Sequence, residues 1–181
     1  MKIVKNIREK FAKSYLIKQL HAMNRLQKPV NLESARTVTL LYYLPDEATY
    51  KKVELILMRL NDLNLKTRVV CYTDLKIIPH YFIPKITQDI ITAKDVNWRY
   101  QPQKPFVKEF IETEYDILID LSLSDYLPLL YCSALSKAGL KVGRYSEDHQ
   151  SFYDLMIHAG QDETIDSFAE QVIHYLSMIN N

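Results

Sequence analysis

Glycine is scarce in this sequence. The 181 residues include three glycines, Gly139, Gly143 and Gly160, and they form neither a Gly-x-Gly-x-x-Gly nor a Gly-x-x-x-x-Gly-Lys-Ser/Thr motif. Loops in which the backbone approaches a phosphate closely depend on glycine, because it has no Cβ. The sequence therefore argues against nucleotide binding of the usual Rossmann or P-loop kind, and we expect no bound cofactor.

Cysteine is almost as rare. Cys71 and Cys132 lie in separate apolar segments and form no Cys-x-x-Cys pair, which is typical of a protein from a reducing compartment. No apolar run approaches the length of a membrane span, and charges interrupt the N-terminal apolar residues, unlike those of a signal peptide. These features predict a cytoplasmic location.

Motifs of metal sites and of nucleophilic catalysis are missing as well. The five histidines form no His-Glu-x-x-His motif and no Cys/His set with zinc spacing, and no Gly-x-Ser-x-Gly sequence occurs. The nearest candidate for a metal site is the run Glu147-Asp148-His149 together with Asp154 and His158. Such a run is more typical of a solvated turn, so we expect no metal.

Positive charge is concentrated at the N-terminus. Residues 1–28 carry a net charge of +7 and the rest of the chain −6, which together give the overall +1. Apolar residues recur there at helical spacing over residues 2–27: Val4, Ile7, Phe11, Tyr15, Leu16, Leu20, Met23 and Leu26. The pattern predicts a basic amphipathic helix that docks on its own domain or on a partner, or self-associates. An anionic membrane surface is a less favoured partner, and nucleic acid is not favoured.

The remainder of the chain alternates between apolar strands and helices. Strands are predicted at 37–44, 67–72, 115–121, 140–144 and 152–158, with a short one at 95–98. Helices are predicted at 46–63, 105–113, 125–137 and 162–179. Residues 74–93 contain Pro79 and Pro84 and are predicted to form a packed loop or sheet edge.

This alternation is typical of a three-layer α/β/α, Rossmann-like fold with a mostly parallel sheet of five or six strands. The predicted organisation is a basic helix at 1–28, a connector at 29–36 and a single α/β domain at 37–181. Gly139 fits a left-handed helix stop after the helix at 125–137.

The ends of two strands supply the candidate site. Ligands of such folds lie beyond the carboxyl ends of the strands, where the strand order reverses. There, loops 44–47 and 122–125 would border a crevice if the strands at 37–44 and 115–121 are neighbours. The candidate site residues are Asp120, Ser122, Ser124, Asp125, Arg144 and His158.

Those polar side chains have two interpretations. Asp120 and Asp125 could act as acid/base or ligand-orienting groups, with Ser122 and Ser124 as hydrogen-bond donors. Alternatively, Ser124 or Asp125 caps the following helix, as Asp46 and Glu47 would cap the helix at 46–63. We favour capping, because every helix start has unpaired N–H groups. Carboxylates at both helix starts would also repel a phosphate.

The segment YDILIDLSLSDYLPLLYCSALSKAGLKVGRYSEDHQSFYDLMI resembles the signature region of an uncharacterised family of small proteins from Bacteroidetes-type bacteria. That resemblance implies a small cytoplasmic α/β protein with no established activity. A local pattern is also similar to the N-terminal half of heptosyltransferase-type glycosyltransferases, through Tyr115, Asp116, Ile119, Asp120, Leu121, Val142 and Gly143. Those enzymes bind the sugar nucleotide with a second half, for which 181 residues leave no room.

Three functional hypotheses follow. The leading one is a non-catalytic binding or interaction module in the cytoplasm. The second is a glycosyltransferase-like half-domain that works with a partner chain, which predicts a deep pocket beside Asp120, Ser122 and Arg144. The third is a peripheral membrane protein docked through its N-terminal helix.

Overall fold

The fold is described from a computed structural model, which describes residues 2–179, with side chains from residue 6 onward. The helices are α1 (Lys2–Ala22), α2 (Glu47–Asp62), α3 (Pro105–Glu112), α4 (Leu127–Leu135) and α5 (Ile165–Met178). The strands are β1 (Thr37–Tyr43), β2 (Lys66–Thr73), β3 (Gln88–Thr92), β4 (Ile117–Asp120), β5 (Leu140–Arg144) and β6 (Leu155–Ile157).

The six strands form one sheet, in the order β3-β2-β1-β4-β5-β6. Every neighbouring pair is parallel. Helices α2 and α5 cover one face and α3 and α4 cover the other, with buried apolar clusters between each layer and the sheet. The α/β class, the Rossmann-like layering and the mostly parallel sheet of five or six strands predicted from the sequence are confirmed, with six strands observed.

The strand order reverses between β1 and β4. The chain builds β1, β2 and β3 outward in one direction, then crosses back to place β4 on the other side of β1. In this pair Leu41 lies opposite Asp120. Strand β4 is buried along its whole length, Asp120 included, so the reversal point lies in the middle of the core.

Helix α1 lies outside these layers, against α4. Its buried side chains are Ala12 and Leu16, and they join an apolar cluster with residues of α4 and with Phe152. The helix ends at Ala22, five residues before the predicted end at 27. Arg25 is held by the carbonyl of Ala138 and the carboxylate of Asp154, and these contacts draw the chain away from helical geometry.

Residues 74–98 differ most from the prediction. The short segment Gln88–Thr92 forms β3, a strand at the edge of the sheet. The two prolines at 79 and 84 had indicated a loop or edge over the whole region, so this strand was not predicted separately. The strand predicted at 95–98 is wrong. Residues Ala93–Asp95 form a 3₁₀ turn instead, because Asp95 accepts hydrogen bonds from both the backbone and the hydroxyl of Thr92.

The second half of the chain has shorter elements than predicted. Helix α4 begins at Leu127 rather than Asp125 and ends at Leu135. Gly139 has no positive φ, so the left-handed stop is wrong. Instead its N–H bonds to Tyr115 and its carbonyl accepts from Lys28, which joins β4 and β5 to the connector. Strand β6 ends at Ile157, which places His158 outside the sheet.

Candidate functional site

The reversal point between β1 and β4 carries an open cleft. The loops at 44–47 and 122–125 border it, as predicted, and its volume is about 410 Å³. We call it the switch-point cleft. Its lining includes Tyr43, Asp46, Thr49, Ser122, Tyr126 and Ile165. Its size falls within the range of small-molecule sites, roughly 300–1,000 Å³.

Asp46 occupies the start of α2, at the rim of the cleft. Its carboxylate accepts a hydrogen bond of 2.8 Å from the backbone N–H of Thr49, and this bond lowers the pKa of Asp46. The predicted cap is therefore confirmed. Because the N-terminal amides of a helix form its anion-binding site, a carboxylate of the protein itself already takes that place.

The nearby lysines are paired with carboxylates too. Lys52 lies in the cleft lining, and its Nζ is 2.7 Å from Asp166 of α5. Lys51, one residue earlier, is 2.7 Å from Glu47. Three carboxylates and two ammonium groups thus lie at or near the α2 end of the cleft, and their combined charge does not favour a phosphate.

Stacked tyrosines form the opposite part of the cleft. The rings of Tyr43, at the end of β1, and Tyr126, before α4, stack with centroids 3.9 Å apart at 11°. The hydroxyls of Tyr43 and Tyr72 both donate to Asp74. Burial and the Asp74 carboxylate raise the pKa of Tyr43 to about 12, so its phenol stays neutral. This arrangement fixes the aromatic surface of the cleft.

Asp120 directly precedes Leu121 and Ser122 of the cleft lining, and each of its carboxylate oxygens accepts a hydrogen bond. Its carboxylate accepts from the hydroxyl of Tyr153 over 2.6 Å and from the N–H of Ser122 over 2.9 Å. Asp120 and Tyr153 are both buried, and burial raises the pKa of each. The pair is therefore shielded from any molecule in the cleft.

Gly143 makes room for this pair. A Cβ at position 143 would lie 2.6 Å from the ring of Tyr153, closer than a side chain can approach without displacing the ring. The glycine in β5 therefore allows Tyr153 to lie flat against the strand and reach Asp120. This requirement is steric, because Gly143 has ordinary strand geometry.

Asp125 contacts three basic side chains and does not cap a helix. Arg144 Nη2 lies 2.9 Å from its carboxylate, Lys13 Nζ 3.2 Å and His149 Nε2 3.3 Å. The His149 contact is an ion-pair distance rather than an aligned hydrogen bond. Interaction with His149, and then with Lys13, lowers the pKa of Asp125.

The capping predicted for Ser124 or Asp125 is therefore wrong. Tyr126 precedes the first residue of α4 and provides no side-chain cap. Pro128 in the first turn has no N–H, so this helix start has fewer donors to satisfy. Asp125 is consequently free to bind Lys13 of α1, and it ties the N-terminal helix to the ends of β4 and β5.

The prediction of a deep pocket beside Asp120, Ser122 and Arg144 is also wrong. The space enclosed there is about 10 Å³, the size of one water molecule. Three residues that line it carry a buried polar atom with no hydrogen-bond partner among residues 6–179: Ser122 Oγ, Arg144 Nε and His149 Nε2. Ser122 lines both this small space and the switch-point cleft, but its hydroxyl oxygen is itself buried.

The structure brings together five of the six candidate site residues. Asp120, Ser122, Ser124, Asp125 and Arg144 surround the small enclosed space, whereas His158 is exposed and lies outside it. No sequence motif pointed to Tyr153 as a site residue, and His149 was considered only as part of a metal site. Within residues 6–179, no three His, Cys, Asp or Glu side chains are grouped to hold a metal ion.

Most residues of the heptosyltransferase-like pattern have structural contacts. Ile119, Leu121 and Val142 belong to the buried core. Asp116 accepts hydrogen bonds from the N–H groups of Arg36 and Thr37, which joins the start of β4 to the start of β1. The pattern therefore describes the packing of the sheet, and the glycosyltransferase likeness stays an expectation.

The comparisons with known proteins identify a family. None of the helices described here is both long and apolar enough to cross a bilayer. No curated protein and no solved structure matches the chain. Residues 8–179, almost the whole chain, match a protein family that is itself uncharacterised. The chain therefore belongs to the Family of unknown function (DUF6913).

Proposed function

We propose that this protein is a non-catalytic binding module whose ligand occupies the switch-point cleft. The observation that carries the proposal is the cleft of about 410 Å³ at the reversal of strand order, where α/β folds bind their ligands. Apolar and aromatic side chains form much of its lining, and a few hydroxyls converge on it. Such a lining suits a small organic ligand.

The charges around the cleft select a ligand without strong negative charge. Asp46 holds the N-terminal amides of α2, and Asp166 neutralises Lys52. A phosphate would therefore meet a carboxylate where other Rossmann-like proteins offer free N–H groups. An uncharged or cationic ligand meets no such repulsion, and the Tyr43–Tyr126 stack offers it an aromatic contact.

The groups capable of acid/base chemistry do not face the cleft freely. The carboxylate of Asp120 is taken up by Tyr153 and Ser122, and Arg144 and His149 lie against Asp125. The space next to them accommodates about one water molecule and no substrate.

A ligand screen followed by amide NMR tests this proposal. We expect uncharged and cationic compounds to shift the signals of Tyr43, Thr49 and Ser122. Ala48 is exposed and lines the cleft, so Ala48→Trp fills it and should abolish these shifts. The control is Leu55→Trp, on the outward side of the same helix, which should leave binding unchanged.

Two results would overturn the proposal. One is that compounds bind equally well to the Ala48→Trp variant, which would place the ligand elsewhere. The other is that the purified protein turns over a sugar or phosphate substrate and loses this activity on Asp120→Asn. In that case the carboxylate that we describe as a structural group would be catalytic.

A further inference from the structure

A surface of exposed aromatic, aliphatic and basic side chains lies on the outward side of α1. Ile7, Lys10, Phe11, Ser14 and Lys18 follow each other at helical spacing and are all exposed. Phe11 is 61% exposed and Ile7 50% exposed. The helix buries Ala12 and Leu16 on its other side, so this outward face is not the one that packs against α4.

The loop that follows β3 places a tryptophan next to this helix. Arg8 donates to the backbone carbonyls of Asn97 and Trp98, which attaches the loop to α1. The guanidinium of Arg99 lies over the rings of both Tyr15 and Trp98, at 4.6 and 4.7 Å. Trp98 is nevertheless 58% exposed. We call the set Ile7, Lys10, Phe11, Lys18 and Trp98 the α1 patch.

The charges of the α1 patch are of one sign. Lys10 and Lys18 form no ion pair with any residue whose side chain the structure describes. The single acid of this helix, Glu9, is half-buried and lies at the spacing of Ala12 and Leu16, on the side that faces the domain. The patch therefore combines positive charge with exposed apolar side chains. It is complementary to an anionic surface that accepts apolar groups.

We propose that the α1 patch attaches this protein peripherally to anionic lipid bilayers. Helices that lie in a membrane interface combine apolar residues with lysines, and tryptophan is enriched at the level of the headgroups. The patch is convex, a helix ridge with a loop beside it, which suits insertion of side-chain tips into a flat layer. The site is independent of the switch-point cleft, because α1 packs on α4 and the cleft is bordered by α2 on the opposite face of the sheet.

Vesicle sedimentation with the full chain tests the proposal. We expect the protein to sediment with vesicles of phosphatidylcholine and phosphatidylglycerol, but not with phosphatidylcholine alone, and the binding should weaken with added salt. Trp98 is the single tryptophan of the chain, so its fluorescence reports directly on the patch. Its emission should shift to shorter wavelength when anionic vesicles are added.

Two pairs of variants separate the patch from the rest of the surface. Ile7→Ser with Phe11→Ser should weaken vesicle binding by about tenfold or more. Its control is Leu55→Ser with Met58→Ser, on residues of α2 that are 65% and 61% exposed. Lys10→Glu with Lys18→Glu should weaken binding by about tenfold or more, and its control is Lys66→Glu with Lys76→Glu. The altered positions are exposed. Circular dichroism checks whether each variant is folded.

Several outcomes would overturn the proposal. They are no sedimentation with anionic vesicles at low salt, equal weakening by the control variants, or sedimentation without a change in Trp98 emission. A chain that binds single-stranded oligonucleotides or an acidic protein through this patch, or dimerises through it, and ignores vesicles would equally refute attachment to lipid.

Discussion

The hydroxyl of Tyr153 donates to the carboxylate of Asp120 over 2.6 Å, and both side chains are buried under the switch-point cleft. This hydrogen bond joins the end of β4 to the segment that leads into β6. The bond therefore gives a structural role to a carboxylate at the end of a central strand, a position that is typical of ligand-binding or catalytic groups. The cleft is open, but the carboxylate of Asp120 is not available to a molecule that enters it.

Tyr153→Phe tests the structural role of this bond. Removing the phenol leaves a buried carboxylate with the N–H of Ser122 as its remaining hydrogen bond, so the free energy of unfolding should fall by about 1–3 kcal/mol. Urea denaturation measures the change. Tyr145 is exposed, and Tyr145→Phe serves as the control with no expected effect. Equal stability of the two variants would contradict the role given to Tyr153.

Gly143→Ala tests the space that the same tyrosine needs. The new methyl group would lie 2.6 Å from the Tyr153 ring, and displacing the ring should cost about 1–3 kcal/mol. At Gly160 a Cβ meets nothing within 4 Å, so Gly160→Ala should be neutral or stabilising by up to about 1 kcal/mol. Thermal unfolding compares the two variants. A Gly143→Ala protein as stable as wild type would show that the Tyr153 ring does not need this space.

Asp125→Asn tests the contact between α1 and the sheet. Because contacts with His149 and Lys13 lower the pKa of Asp125 in the folded protein, its stabilising effect is present above the unfolded pKa of 3.8 and is lost as the pH falls below it. For a partly exposed group we expect a loss of about 1 kcal/mol at neutral pH. The difference from wild type should shrink below about pH 4.

The exposed Asp148 provides the comparison for that experiment. It lies 3.8 Å from Lys13, and Asp148→Asn should change the unfolding free energy by less than about 0.5 kcal/mol. An Asp125→Asn protein that is as stable as Asp148→Asn, or a difference from wild type that does not change in acid, would contradict the role of Asp125 in holding α1.

Lys141→Met tests the one fully buried lysine among the described residues. Burial lowers the pKa of Lys141 to about 7, with Arg25 contributing and Asp154 opposing, while Nζ donates to the carbonyl of Ala134. Between about pH 7 and 10.5 the unfolded chain therefore holds a proton that the folded protein lacks, and this lysine makes stability rise with pH.

The methionine variant removes that dependence. Below pH 7 it should be more stable than wild type by about 2 kcal/mol, because a buried charge is replaced by an apolar chain of similar length. Its advantage should decrease towards pH 10 as the lysine of the wild type becomes neutral in both states. Urea denaturation across this range gives the difference, and an advantage independent of pH would contradict the shifted pKa.

Local sequence pattern was sufficient for most of the sheet and for the cap at Asp46. The apolar strands, the helices between them and the adjacency of β1 and β4 follow from alternation and from the usual strand order of such folds. Asp46 could be predicted as a cap because its partner, the N–H of Thr49, lies three residues away. Strand β3 was hidden because two prolines and a short apolar run give conflicting local signals.

The side-chain contacts within the site could not be predicted from local sequence pattern. Asp125 had a local capping interpretation, yet its partners Lys13 and Arg144 are 112 and 19 residues away in the chain. Tyr153 reaches Asp120 across 33 residues and belongs to no motif. Similarly, α1 was predicted to dock on its own domain or on a partner, but the sequence did not show that packing buries Leu16 and leaves Phe11 in solvent. Contacts of this kind depend on tertiary packing.

In the proposed function, the charge at the start of α2 decides which ligands the switch-point cleft accepts. An NMR titration of wild-type protein with a nucleoside monophosphate and a sugar phosphate tests this most directly. The amide signal of Thr49 reports on the helix start that Asp46 occupies. We expect this signal to stay in place throughout the titration. A saturable shift that Ala48→Trp abolishes would mean that an anion binds there despite Asp46, and would contradict the proposed ligand class.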